Sequence, residues 1–346
     1  MDLKETAEKL VRNHSLLEEE YLFLIENADE QTRNYLAEEA CAVRDCVYGK
    51  RVFTRGLIEI GNICKNDCLY CGIRRSNKTV ERYRLKKDEI LACAAEGYRL
   101  GFRTFVLQGG EDAYYSDEVL IDIIRELKRN YPDCAVTLSL GERSDESYEA
   151  LREAGADRYL LRHETIDAIH YGKLHPAEMS HENRLRCLKT LKRLGFQTGC
   201  GFMVGSPYQT AEMLAREMKF IEEFRPEMCG IGPFIPHHET PFRDEKAGSV
   251  SLTCLLLSII RLIHPHVLLP ATTALGTMHP GGREMGILSG ANVVMPNLSP
   301  VSVRKQYELY DHKICTGEES AQCVTCLSER IRSTGCELDF SRGDFS

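Results

Sequence analysis

Two groups of cysteines carry a spacing that can do chemistry. The first reads Cys64-Lys-Asn-Asp-Cys68-Leu-Tyr-Cys71, a C-x3-C-x2-C arrangement directly after the apolar run LIEIG. A structural zinc site commonly takes four ligands, often as two CxxC pairs. Three thiolates can instead hold three irons of a 4Fe–4S cubane and leave the fourth iron open. The competing reading is three buried or zinc-binding cysteines. The second group is Cys315-x7-Cys323-x2-Cys326. An auxiliary iron–sulfur cluster (2Fe–2S or 4Fe–4S) with an outside fourth ligand is one reading. Free cysteines or an adventitious zinc site are the other, and Cys336 is a fourth ligand by count alone.

Further candidates follow the apolar runs downstream. Gln108-Gly109-Gly110-Glu111 ends one of them, and glycines let backbone approach a ligand closely. Glu164 closes the run RYLLRHE, where a carboxylate suits an amino group or ribose hydroxyls. Arg162 and Arg184 can pair with a carboxylate in bidentate fashion. Taken singly, each of these charges reads as a solvated surface residue. The pairs His237/His238 and His264/His266 lack the H-x3-H spacing of a helical zinc site and are read as structural or surface residues.

The elements that must position these residues alternate. The first 50 residues read as two helices, 2–25 and 29–48, with apolar residues at helical spacing. Strand-like runs then recur at 56–61, 104–108, 135–140, 158–161, 198–204, 228–234, 267–271 and 292–295. Amphipathic helical stretches lie between them at 87–100, 117–130, 145–154, 181–194, 210–224, 252–263 and 282–289. Such alternation predicts an α/β fold with a parallel sheet and right-handed crossovers. Eight strands suggest a closed (β/α)8 barrel of the TIM type, with an open doubly wound sheet as the alternative. In a barrel the loops after the strands form the active face, and here they hold most of the candidates. The expected organisation is a helical extension (1–50), the barrel (51–300) and a cysteine-containing extension (301–346).

Composition narrows the function classes. A formal net charge of −8 offers no electrostatic footprint for nucleic acid. No run approaches the roughly 20 apolar residues of a membrane span. The charged N-terminus lacks a signal-peptide core, so the chain is expected in the cytosol. An odd count of 15 cysteines in that compartment argues against a disulfide framework.

The cysteine loop, with an aromatic residue before its third cysteine, resembles the radical S-adenosylmethionine (SAM) superfamily. That resemblance implies that the open iron chelates the amino and carboxylate groups of SAM, and that one electron from the cluster cleaves it to a 5′-deoxyadenosyl radical. Longer stretches are more specific: NICKNDCLYCGIRRSNK, VLQGGEDAYY, VTLSLGE, RYLLRHET, GIGPFIPH, PATTALGT, PGGRE and ANVVMPN. They resemble the HydE family, the radical SAM maturases of FeFe-hydrogenase. The family implies a full barrel around a large cavity. Cys64, Cys68 and Cys71 would bind the cluster. Tyr70 would pack near the adenine of SAM, with Gln108, Gly109, Gly110, Glu111, Arg162, Glu164 and Arg184 around the cofactor. Thr137, Ser139, Thr272, Thr273, Met295, Asn297, Tyr307 and Tyr310 would line the substrate cavity. Gly109 departs from the serine expected in many relatives, which removes a side-chain hydroxyl there. The resemblance also implies a substrate: an iron complex with cysteine, carbon monoxide and cyanide, supplied by a sister radical SAM maturase. A scaffold GTPase would receive the product, a one-electron reductant is required, and a C-terminal cluster belongs to some members only. Methylornithine synthase and biotin synthase share the barrel and the cysteine loop and are the alternatives. A non-catalytic iron–sulfur protein is the third reading.

Overall fold

A computed structural model describes residues 1–316 and 324–346. Its strands are β1 (Arg51–Thr54), β2 (Gly56–Gly61), β3 (Thr104–Gly109), β4 (Ala135–Ser139), β5 (Arg158–Leu160), β6 (Gln197–Cys200), β7 (Met203–Val204), β8 (Met228–Cys229), β9 (Gly232–Pro233), β10 (Val293–Val294) and β11 (Glu337–Asp339). Six of them form a parallel sheet in the order β2-β3-β4-β5-β6-β8. Parallel bridges Met228–Leu268, Pro270–Val293 and Asn297–Leu57 carry the ring onward, so the last strand position returns to the first. The expected eight-stranded barrel is therefore closed.

Several elements differ from expectation for identifiable reasons. The run 267–271 bridges its neighbours without becoming a strand, because Pro270 has no N–H to donate to a ladder. The runs 198–204 and 228–234 each split in two, into β6 with β7 and β8 with β9. The break falls where Gly201 (φ +155°) meets Gly230: a Cβ on Gly201 would stand 2.1 Å from the Gly230 carbonyl oxygen. The N-terminal region forms three helices, Leu3–Asn13, Glu18–Asn27 and Glu30–Tyr48, not two. His14 breaks the first by adopting φ 56°, and its Nδ1 lies 2.6 Å from the Leu262 carbonyl oxygen.

The outer helices bury one apolar face each. In Asp117–Asn130, Ser116 caps the N-terminus and Leu120, Ile123, Ile124 and Leu127 face the sheet. Each such side chain contributes about 1.5–3 kcal/mol on burial. Among the described residues no helix is long and apolar enough to cross a membrane.

The end of the barrel below the strands is shut by the chain's last residues. Arg158, fully buried on β5, pairs with Asp344 at 2.6 Å, and the Gln197 amide donates to the same carboxylate at 2.9 Å. β11 meanwhile pairs with β1. His264 is buried near this end, and neither of its ring nitrogens has a hydrogen-bond partner. Burial first, then Arg225 and Arg261, pull its pKa from 6.5 down to about 3. The unfolded chain thus binds a proton that the folded chain refuses, and stability is lost as pH falls below the unfolded value. The expected slope from this group approaches about 1.4 kcal/mol per pH unit below roughly pH 6. Denaturant titrations of wild type and His264→Gln across that range should show the variant losing less stability on acidification.

Candidate active site

The loop after β2 is built before any thiol is considered. Arg82 reaches under it and donates to four carbonyls, those of Asn62 (2.5 Å), Ile73 (2.8 Å), Arg74 (2.6 Å) and Asn77 (2.9 Å). Asp67 accepts from Arg74 Nε at 2.8 Å and from the Ser76 amide and hydroxyl at 2.9 and 2.6 Å. The Arg74 bond, with Ser76 behind it, holds the Asp67 carboxyl well below the usual range. Asn62 donates to the carbonyls of Glu81 and Gln306 and accepts the Tyr83 amide. Gly110 lets the next loop lie against this one, since a Cβ there would come within 2.7 Å of Cys64 Cβ.

This frame brings Cys64, Cys68 and Cys71 together as free, partly buried thiols. Burial raises all three pKa values, that of Cys71 to about 12, and the neighbouring sulfurs add to the rise at Cys68 and Cys71. Three free thiols on one loop are the donor set of a 4Fe–4S cluster with one open iron.

The remaining candidates separate into two sets. Tyr70 lies between the cysteines and the charged ring: its phenol is 3.1 Å from His175 Nε2, and Cys68, Glu164 and Arg184 all act on it electrostatically. Around it, Arg162 stands 3.1 Å from Glu164, and Arg184 stands 2.8 Å from Glu142. These are close ion pairs with poor hydrogen-bond angles. The facing atoms, Arg162 Nη2, Glu164 Oε2, Arg184 Nε and Glu142 Oε1, are buried without a hydrogen-bond partner. The charges are paired, but the hydrogen-bonding capacity of the facing atoms is not used within the protein and is available to a ligand. Gly109 and Glu111 serve loop packing: Glu111 binds Lys65 at 3.2 Å and accepts the Glu142 amide at 3.1 Å.

Glu164 sits at φ 66°, an unusual backbone for a glutamate. A pair behind it maintains that turn. Glu217, fully buried, lies 2.8 Å from His163 Nε2 and accepts the Ile166 amide at 2.6 Å, gripping both sides of Glu164. Glu217→Leu strands both donors, so a loss of about 2–4 kcal/mol is expected in denaturant unfolding. Glu217→Gln, which can still accept the Ile166 amide, should lose less.

Inside the barrel, Thr137 is buried with an unpartnered hydroxyl, and Gln108 reaches the Tyr307 phenol at 3.4 Å. Burial raises the pKa of Tyr310, which neighbours Thr277 and Glu59. Ser139 ends β4 beside Gln108 of β3. Thr272 caps the helix Thr273–Met278. Asn297 is engaged by Glu59, donating to it at 2.8 Å. Met295 packs with the cluster of Met228, Leu268 and Val293. Sequence reasoning missed Glu59, Lys313, Glu142 and Arg82. Glu59 is buried on β2 and pairs with Lys313 at 2.5 Å. A lone charge within LIEIG was a legible signal for Glu59; nothing marked Lys313.

The second cysteine group is described in part. Cys315 accepts from Arg283 at 2.9 Å, and Cys326, on the helix Val324–Arg332, is disulfide-bonded. Cys323 lies outside the described residues. Cys336 is buried in the main core beside Cys41.

Known proteins share these features. The Radical SAM superfamily model matches residues 58–221. The FeFe hydrogenase maturase subunit HydE of Thermotoga maritima is 45% identical over 334 residues, covering 96% of this chain and 94% of that one. The 3-methylornithine synthase of Methanosarcina acetivorans is 27% identical over 338 residues, covering 97% and 94%. Among solved structures, methylornithine synthase (PylB) superposes with a TM-score of 0.84 at 24% identity, covering 96% of this chain and 97% of that one. That last likeness concerns the fold alone.

Proposed function

Because the chain belongs to the family of the FeFe-hydrogenase maturase HydE, we propose that this radical SAM enzyme of hydrogenase maturation acts on an iron complex bearing cysteine, carbon monoxide and cyanide. The family implies a 4Fe–4S cluster and SAM as cofactors, and partnership with other maturases. In this reading Cys64, Cys68 and Cys71, free thiols on one loop, hold the cluster. When bound, the cluster supplies the single electron that cleaves SAM to a 5′-deoxyadenosyl radical.

The chain's own residues bind, orient and shield. Glu164 would take the amino group or ribose of SAM, and Arg162 and Arg184 its carboxylate. Tyr70 would pack beside the adenine. Gln108, Gly109, Gly110 and Glu111 would form the opposite wall, with Glu111 bracing it through Lys65 and the Glu142 amide. Below, Thr137, Ser139, Thr272, Thr273, Tyr307 and Tyr310 would present hydroxyls to an anionic complex, with Asn297 and Met295 completing the cavity. The closed lower end keeps that cavity from opening through the barrel floor. Residues 51–300 form the catalytic barrel in this reading, residues 1–50 buttress it, and residues 301–346 would carry a second cluster on Cys315, Cys323 and Cys326 once the disulfide of Cys326 is reduced. The sister maturase supplies the complex, the scaffold GTPase takes the product, and the reaction draws on a one-electron donor.

The observation that carries the reading is the pair of ion pairs beside the three thiols, Arg162 with Glu164 and Arg184 with Glu142, whose facing atoms make no hydrogen bond and are free to take one from a ligand. The test is an anaerobic assay for 5′-deoxyadenosine with iron-reconstituted protein, SAM and dithionite, with and without the iron–cysteine complex. Cleavage that rises with the complex is the expected result. Cleavage indifferent to it would move the substrate toward that of methylornithine synthase or biotin synthase. No cleavage from a loaded cluster would leave a non-catalytic iron–sulfur protein.

A further inference from the structure

We propose that His237, His238 and Asp311 form a binding site for a divalent cation of the zinc class, beside the cysteine loop. Among the described residues this is the one trio of histidine, cysteine or carboxylate side chains whose ligand atoms all lie within 4.8 Å of one another. His238 Nδ1 stands 2.6 Å from Asp311 Oδ1, and His237 Nε2 stands 3.9 Å from the same oxygen. Two imidazoles and a carboxylate suit zinc, cobalt or nickel better than calcium or magnesium, and three protein ligands leave a position for water.

The site is held in shape by backbone. The His238 amide donates to Asp311 Oδ2 at 2.9 Å, and the Asp311 amide donates to the Pro236 carbonyl at 3.1 Å. The Thr240 amide and hydroxyl both close on the His237 carbonyl, at 3.0 and 2.8 Å. His237 is buried and His238 exposed, so one side is fixed and the other open to solvent. The charges acting on the two rings are Asp311, Glu308 and Glu239, all acidic, and they favour a cation between them. One cost is visible. The Glu239 amide donates to His237 Nδ1 at 3.1 Å, and coordination through Nε2 would move the ring proton to Nδ1 and release that amide. Binding is therefore expected to be moderate.

Such a cation would join the turn after β9 to residues 308–311. That segment runs against the cysteine loop: the Gly72 amide donates to the Leu309 carbonyl at 2.8 Å, and a Cβ on Gly72 would lie 2.3 Å from the His237 ring. The same segment carries Tyr307, Tyr310 and Lys313 into the barrel. The bound ion would act as a clasp on it.

The experiment is a Co2+ titration of protein already reconstituted with iron and sulfide, followed by calorimetry and optical absorption. About one equivalent is expected in a nitrogen and oxygen environment, displaceable by Zn2+, and weakened roughly tenfold or more in His238→Ala and in Asp311→Asn. His238 is exposed, so His238→Ala should keep its iron content and carry the test if Asp311→Asn does not fold. A titration unchanged in His238→Ala overturns the proposal. So does a spectrum dominated by thiolate charge transfer that vanishes in Cys315→Ala.

Discussion

Protein carrying Cys68→Ala, reconstituted with iron and sulfide, is expected to fold and to make no detectable 5′-deoxyadenosine. The loop that presents Cys68 is held by Arg82, Asp67 and Asn62 through side-chain bonds to backbone, none of which involves a cysteine. Removing one thiol therefore leaves the loop's scaffold intact while, in the proposed reading, the cluster would lose one of its three cysteine ligands. The loss should be on the order of a thousandfold or more, since in the proposed reading SAM is bound and cleaved at this cluster. Circular dichroism would report the retained fold and iron analysis the lost cluster. If Arg184 takes the SAM carboxylate as proposed, Arg184→Met in the same assay should lower apparent SAM affinity by a smaller factor, roughly ten to a hundredfold, with the cluster kept. Equal, complete losses in both variants would mean that Arg184 acts through the fold and not on the cofactor.

Lys313→Met is expected to be among the most destabilising single changes in the barrel. Glu59 is 1% exposed and Lys313 8% exposed, and their charges meet at 2.5 Å. Lys313 also donates to the Tyr307 carbonyl at 2.7 Å, and Asn297 occupies the other carboxylate oxygen of Glu59. Deleting the ammonium leaves a carboxylate buried with one neutral donor, a situation that costs about 3–5 kcal/mol. Glu59→Gln combined with Lys313→Met removes both charges and should recover much of that loss. Denaturant unfolding of the wild type, both single variants and the double variant gives the coupling energy directly. A coupling near zero would show that the pair is solvated in solution.

The barrel was legible because its signal is local and repeated. Short aliphatic runs alternated with amphipathic stretches, and right-handed crossovers leave few ways to arrange them. The closure was not legible in detail. Proline at 270 and the Gly201–Gly230 approach break the strands, and both effects depend on what stands across from them. The N-terminal break at His14 was invisible for the same reason, since the carbonyl it meets belongs to Leu262, far along the chain.

The candidate site divides in the same way. The cysteine spacing, Arg162 and Glu164 could be named from the sequence, because each follows a recognisable strand at a short offset, while Arg184, inside the helix His181–Arg193, came from the family resemblance. Their partners could not. Glu142 faces Arg184, Glu217 grips the turn of Glu164, and Lys313 neutralises Glu59, each across more than 40 residues of chain. By itself the sequence determined the class of chemistry and the order of elements, since both rest on residue type at short spacing. Only the tertiary structure decided which charges are buried and paired, because burial and the distance between side chains are properties of the closed barrel.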